Sequence, residues 1–225
     1  DSSRAPISAK VVADMFTTAG LNRIVCMDLH ASQIQGFMNI PVDNLYSVKL
    51  VYQKLIELYG IDNNEEREKY ILVAPDAGAV KRTLKFAQIM KMKKCMMHKE
   101  RDYSKPGTVK KTILVCEDGL DVTGKTAIIT DDMIDSGGTF IKACETLIEK
   151  GFSEVIGVIT HGYFTSDAIE KINDSDDVKK IIISNSICQD QNLPKCSKLE
   201  LIDVSDQLAE AIKIIHEGGS MSELF

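Results

Sequence analysis

No apolar run in the sequence approaches the length of a membrane span, and no secretory leader is visible. Basic residues are not in excess. The net charge is −6, so the chain lacks the basic face that bulk nucleic-acid binding requires. These absences argue against membrane and nucleic-acid partners and set a cytoplasmic protein as the expectation. The six cysteines, Cys26, Cys95, Cys116, Cys144, Cys188 and Cys196, form no C-x-x-C pair and no zinc-like spacing. Several lie inside apolar runs, so reduced core thiols are expected. No internal repeat or low-complexity tract stands out. There is also no initial Met: the chain opens "DSSRAPISAK", as though cut from something longer.

What is present is the composition of an ordinary globular protein. Of 225 residues, 44% are apolar and 27% charged, enough for one large or two small domains with a buried core. Strand-like and helix-like segments alternate. Residues 8–19 carry Val11, Val12, Met15 and Phe16 at helical spacing. Further helices are expected over 47–60, where Gly60 is the stop, and over 80–90. Strands are expected at "RIVCMDLH", "YILVAPD" and "CMMHKE". The stretch 101–111 contains Pro106-Gly107 and reads as a mobile loop. Strands "TILVCED" and "TAIITDD" follow, then the helix "TFIKACETLIEKG", and the alternation continues to a C-terminal helix. Continuous apolar strands imply a sheet covered on both faces. The fold class is therefore α/β, a mostly parallel sheet flanked by helices. Ligands of such sheets bind beyond the carboxyl ends of the strands.

Two phosphate-binding patterns lie side by side. "GLDVTGKT", residues 119–126, spells G-x-x-x-x-G-K-[ST]. A nucleotide loop of that kind needs a helix directly after it, but "AIIT" is short, β-branched and apolar. The segment therefore reads as a turn between two strands, with Asp121 and Gly124 as turn residues. "TDDMIDSGGTF", residues 130–140, has a strand before it and a helix after it. Gly137 and Gly138 permit close approach of an anion, and Ser136, Thr139 and the loop amides can donate to phosphate. Asp131 and Asp132 can accept from sugar hydroxyls. A turn leading into a capped helix accounts for the same residues, and the segment alone does not separate the two.

This arrangement resembles the phosphoribosyl pyrophosphate signature of the type I phosphoribosyltransferase fold. With "SRAPISAK", "MDLHASQIQGF", "PVDNLY", "PDAG", "VKR", "HKER", "THGYF" and the terminal "SMSELF", the chain is similar to ribose-phosphate diphosphokinases, the phosphoribosyl pyrophosphate synthetases, from Ser3 to Phe225. The resemblance implies transfer of the diphosphoryl group of ATP to O1 of ribose 5-phosphate, with Mg²⁺ as cofactor, for nucleotide biosynthesis. By matching position, Asp135, Ser136, Gly137, Gly138 and Thr139 would hold the 5-phosphate, and Asp131 and Asp132 would face the ribose hydroxyls. His30 and Asp76 would contact Mg²⁺. Asp1 and His30 would lie by ATP, and Lys99 and Arg101 would be the catalytic cations. Ser3, Arg4, Ser220, Ser222 and Phe225 match a regulatory site for phosphate and ADP, in a homo-oligomer of dimers assembling to a hexamer.

Plainer readings stand beside these. His30 can be structural, Asp76 can cap the next helix, and Lys99 to Arg101 can be a solvated charge run. His161 is read as structural. Relative to the resembled family the chain lacks an N-terminal third. On that basis residues 1–46 plus 213–225 are expected to be the remainder of an N-terminal domain, and 47–212 a phosphoribosyltransferase-like C-terminal domain. Ribose 5-phosphate binding with impaired synthesis is then expected. The alternatives are a non-catalytic regulatory subunit of the same family and a nucleobase phosphoribosyltransferase.

Overall fold

The computed structural model describes residues 6–101 and 109–224. Along the chain these form α1 (Ser8–Thr18), β1 (Ile24–Met27), β2 (Val42–Leu45), α2 (Val48–Tyr59), α3 (Asn64–Arg67), β3 (Tyr70–Ala74) and α4 (Val80–Met90). They continue with β4 (Lys94–Arg101), β5 (Val109–Cys116), β6 (Thr126–Ile134), α5 (Gly138–Glu149), β7 (Glu154–Gly162), α6 (Ala168–Asp174), β8 (Val178–Ser184), β9 (Leu199–Ile202) and α7 (Ser205–Glu217). Among the described residues no helix is long and apolar enough to cross a membrane. Two compact units result, one of residues 1–47 with 205–225, the other of 48–204. The sequence reading divides the C-terminal helix at 213. The structure keeps α7 whole in the first unit, because its buried face, through Ala211 and Ile214, packs with Leu45 and Met221.

In the first unit β1 and β2 pair in parallel, Ile24 opposite Val42 and Met27 opposite Leu45. The turn after β1 is held by buried polar groups. Asp28 takes a left-handed conformation, φ 46°, and its Oδ2 accepts from the Ser47 amide at 3.1 Å. Asn44 Oδ1 accepts from the Leu29 amide. The apolar residues of α1 do fall at helical spacing, yet Val11, Met15 and Phe16 remain exposed and only Ala13 is buried.

The second unit is a seven-stranded sheet in the order β5-β4-β3-β6-β7-β8-β9. Every neighbouring pair is parallel except β4 with β5. β3 is wholly buried, as a strand covered on both faces must be. The chain moves outward from β3 through β4 to β5, then returns to place β6 on the other side of β3. The crevice beyond β3 and β6 is therefore the point where strand order reverses. α4 is pinned there by a buried pair: Thr83 Oγ1 and Thr130 Oγ1 lie 2.8 Å apart. Helix α5 approaches closely because Gly157 has no side chain. A Cβ there would stand 2.8 Å from the Phe140 ring.

Three expectations are corrected. Within the stretch read as a loop, Arg101 belongs to β4 and residues 109–111 to β5, because the two strands pair there; residues 102–108 lie outside the described residues. β6 keeps Asp131 and Asp132 on the strand but runs on to Ile134, past the expected end at Asp132, because Met133 and Ile134 also pair with β7. The cysteines are not all thiols. Cys95 and Cys116 face each other across β4 and β5, with Cα atoms 4.1 Å apart, and are joined as a disulfide. Their separation of 21 residues carries no pattern, and only antiparallel register opposes them. Cys144 and Cys196 are buried free thiols, whereas Cys188 is exposed. Burial pushes the Cys144 thiol well up, leaving it unreactive. Alkylation of the unfolded chain without reductant should label the four free cysteines, and prior reduction should raise the count to six. Six labels without reductant would show that the pair is not joined.

Candidate active site

The "GLDVTGKT" segment is a turn joining β5 to β6, with Gly119 and Gly124 at positive φ. Asp121 Oδ1 accepts from the Thr123 amide, and Lys125 Nζ donates to the Glu68 carbonyl at 2.6 Å. A strand follows it, so no helix N-terminus stands behind Lys125 and the pattern forms no nucleotide cradle.

The turn from β6 into α5 is different. Its carbonyls are drawn to one side by the segment after β7. Ile134 accepts from the Tyr163 amide at 2.9 Å, Asp135 from the Thr165 amide at 3.2 Å, and Ser136 from Lys171 Nζ at 3.5 Å. In a trans peptide the N–H points opposite to the C=O. Three successive peptides therefore turn the amides of Asp135, Ser136 and Gly137 toward the crevice beyond β3 and β6. Gly137, at φ 73°, supplies the left-handed step that lets the chain enter α5 at Gly138. Among the described residues none of the amides of 135–139 donates to a backbone acceptor. Convergent amides at a helix start form an anion nest. They border a cavity of about 230 Å³ whose wall also includes Pro75, Asp131 and Ile159.

The carboxylates lie at the same strand ends. Asp131 Oδ1 accepts from the Asp132 amide at 2.9 Å. Asp132 is buried and ion-paired to Arg82 of α4 at 3.7 Å, both side chains being largely covered. Among the described residues Asp131 has no such cation within ion-pair distance. Burial, then the neighbouring Asp132 charge and more weakly Asp76, push its pKa up to about 7. Asp76, just past β3, accepts from the amides of Gly78 and Ala79 at 2.8 and 3.1 Å, so one of its oxygens does hold the start of α4.

The family described as phosphoribosyl synthetase-associated domain matches residues 109–225. Ribose-phosphate pyrophosphokinase A of Dictyostelium discoideum is 44% identical over all 225 residues, which cover 67% of that protein. The chain belongs to the ribose-phosphate pyrophosphokinase family. Ribose-phosphate pyrophosphokinase 3 of Saccharomyces cerevisiae is 43% identical, again over the whole chain and 66% of that protein. The crystal structure of phosphoribosylpyrophosphate synthetase from Mycobacterium smegmatis superposes with a TM-score of 0.83 at 35% identity, over 96% of this chain and 66% of that one. The fold is thus the type I phosphoribosyltransferase-like one of that family. The chain spans about two thirds of the length of these relatives.

Placed in this pyrophosphokinase fold, Asp131, Asp132, Asp135, Ser136, Gly137, Gly138 and Thr139 come together at the end of β6 and the start of α5. Asp76 lies at the end of the neighbouring β3. Lys99 and Arg101 are carried by β4, opposite Thr112 and Val109. His30 and Ser220 with Ser222 belong to the other unit, where the Ser222 amide donates to Ser220 Oγ. Asp1, Ser3, Arg4 and Phe225 lie outside the described residues. Among the described residues no three of His, Cys, Asp and Glu gather as a metal cluster. His161 donates to or accepts from Ser186 Oγ at 2.8 Å through Nδ1. Sequence reasoning missed Arg82, Thr165 and Lys171. "VKR" was part of the resemblance, but nothing in the sequence aims Arg82 at Asp132.

A carboxyl whose pKa is raised in the folded protein binds more protons than in the unfolded chain. Its favourable contribution is complete below about pH 4 and is lost as pH rises to about 7. Asp131→Asn should remove this loss and raise stability above pH 7 by about 1–3 kcal/mol. Urea unfolding of both proteins from pH 4 to 8 reads it; parallel curves across that range would contradict the burial of Asp131.

Proposed function

We propose that this chain carries the ribose 5-phosphate site of a ribose-phosphate diphosphokinase, which transfers the diphosphoryl group of ATP to O1 of ribose 5-phosphate and releases phosphoribosyl pyrophosphate and AMP. The observation that carries the reading is the pairing of an amide nest with buried acceptors on one strand end. The amides of residues 135–139 suit a phosphate dianion, and Asp131 and Asp132 suit sugar hydroxyls. Gripping both ends of the sugar fixes O1 for in-line attack, and positioning of this kind makes up most of catalysis in phosphoryl transfer. Lys99 and Arg101, on the hairpin strand β4, are assigned the charge that develops on the transferred group.

The donor chemistry fits Mg²⁺. Asp131 is buried beside the carboxylates of Asp132 and Asp76, which raises its pKa to about 7, and such an acidic strand end favours a hard dication with oxygen ligands. Asp76 is assigned to contact it, and when bound it would neutralise phosphate charge. Phosphate and ADP as effectors at Ser3, Arg4, Ser220, Ser222 and Phe225, and a homo-oligomer, are part of the same proposal.

Calorimetry with ribose 5-phosphate tests the site in this chain. Binding should weaken at least about tenfold in Asp131→Ala and again in Gly137→Val, because a β-branched residue cannot hold the positive φ of 73° that shapes the nest without strain. Ribose 5-phosphate bound equally well by both variants would refute the placement. AMP release from ATP, dependent on ribose 5-phosphate and lost in Lys99→Ala, tests transfer. Binding without AMP release would instead favour a regulatory, non-catalytic chain.

A further inference from the structure

The amide nest exists only because its carbonyls are held away from it, and the holding residues come from a segment thirty positions later in the chain. Thr165 is the centre of that segment. Its amide donates to the Asp135 carbonyl at 3.2 Å, and its Oγ1 donates to Asp135 Oδ1 at 2.6 Å. One residue thus grips both the backbone and the side chain of Asp135. The segment is itself tightly built. Phe164 and Ser166 flank Thr165 with φ of 46° and 56°, an arrangement that L-residues adopt only under constraint. Gly162 begins it, where a Cβ would overlap the Ile183 side chain and meet Phe164 at 2.6 Å. Buried Gln189 Nε2 donates to the Gly162 carbonyl at 2.8 Å. The platform is therefore fixed from below before it reaches the loop.

We infer that Thr165 is a positioning residue for phosphate recognition: by clamping Asp135 it aims the amides of the 135–137 nest and turns an acidic side chain away from the anion. The inference rests on the ribose 5-phosphate reading. Carboxylates repel phosphate, so an aspartate inside a phosphate loop is useful only if its oxygens are engaged elsewhere. Thr165 Oγ1 engages one of them. Asp135 then acts through its peptide, as a strut, and its carboxylate is a structural acceptor. Neither Ala nor Val at 165 could supply the hydroxyl, whereas Ser could.

The test uses the whole chain with Thr165→Val, Thr165→Ser, Asp135→Ala and the Val/Ala double variant. Ribose 5-phosphate affinity is measured by calorimetry. The expected result is a loss of about tenfold in Thr165→Val, since a hydrogen bond to a charged group is removed, and rescue to within about twofold in Thr165→Ser. Asp135→Ala should lose a similar factor. The double variant should be no weaker than either single variant, because both break one clamp. Unchanged binding in Thr165→Val, or losses that multiply in the double variant, would overturn the inference. Amide hydrogen exchange over 134–139 without ligand gives a second readout that needs no function: exchange should accelerate in Thr165→Val and return in Thr165→Ser. If wild type fails to bind ribose 5-phosphate, the functional reading falls, and exchange still decides the clamp. Equal exchange in all variants would reject it.

Discussion

Everything at the candidate site follows from the direction of a few peptide planes. A regular strand alternates its carbonyls left and right. From the last residue of β6 onward, those of Ile134, Asp135 and Ser136 all turn toward the segment after β7. Planarity then leaves their partner amides no choice but to face the crevice. The helix dipole of α5 adds to the same positive end, and Gly137 makes the sharp entry into the helix possible. A phosphate bound there meets backbone donors that cost no reorganisation, because tertiary contacts have already ordered them.

The acidic pair beside the nest shows how environment separates two identical side chains. Asp132 has Arg82 within ion-pair distance. Asp131 has burial and two like charges, and its pKa rises to about 7. In the absence of a cation or sugar, the site therefore holds part of its acidity as a proton. Ligand binding that supplies hydroxyl donors or a dication would release it.

The sheet places these groups through its order rather than through local sequence. β3 and β6 are neighbours although β4 and β5 intervene in the chain, and Asp76 and Asp131 end the two strands. The buried Thr83–Thr130 contact and the missing side chain of Gly157 set how closely α4 and α5 approach the strands. The β4–β5 hairpin extends the same sheet, and Cys95–Cys116 ties its edge strand on.

By itself the sequence determined the alternation of elements, the parallel sheet and the glycine-bearing turn from strand into helix. Apolar runs, helical spacing and the "DSGGT" glycines are local signals, and the physics behind them acts over a few residues. It also sufficed to reject "GLDVTGKT", since the β-branched "AIIT" cannot supply the required helix. Only the tertiary structure decided that β6 runs past Asp132 to Ile134, that Cys116 faces Cys95, and that α1 keeps its apolar face exposed. Likewise only folding brought Thr165 to Asp135 and Arg82 to Asp132. Those contacts depend on register and on strand order, which pair residues distant in the chain, and no spacing rule along one sequence encodes them.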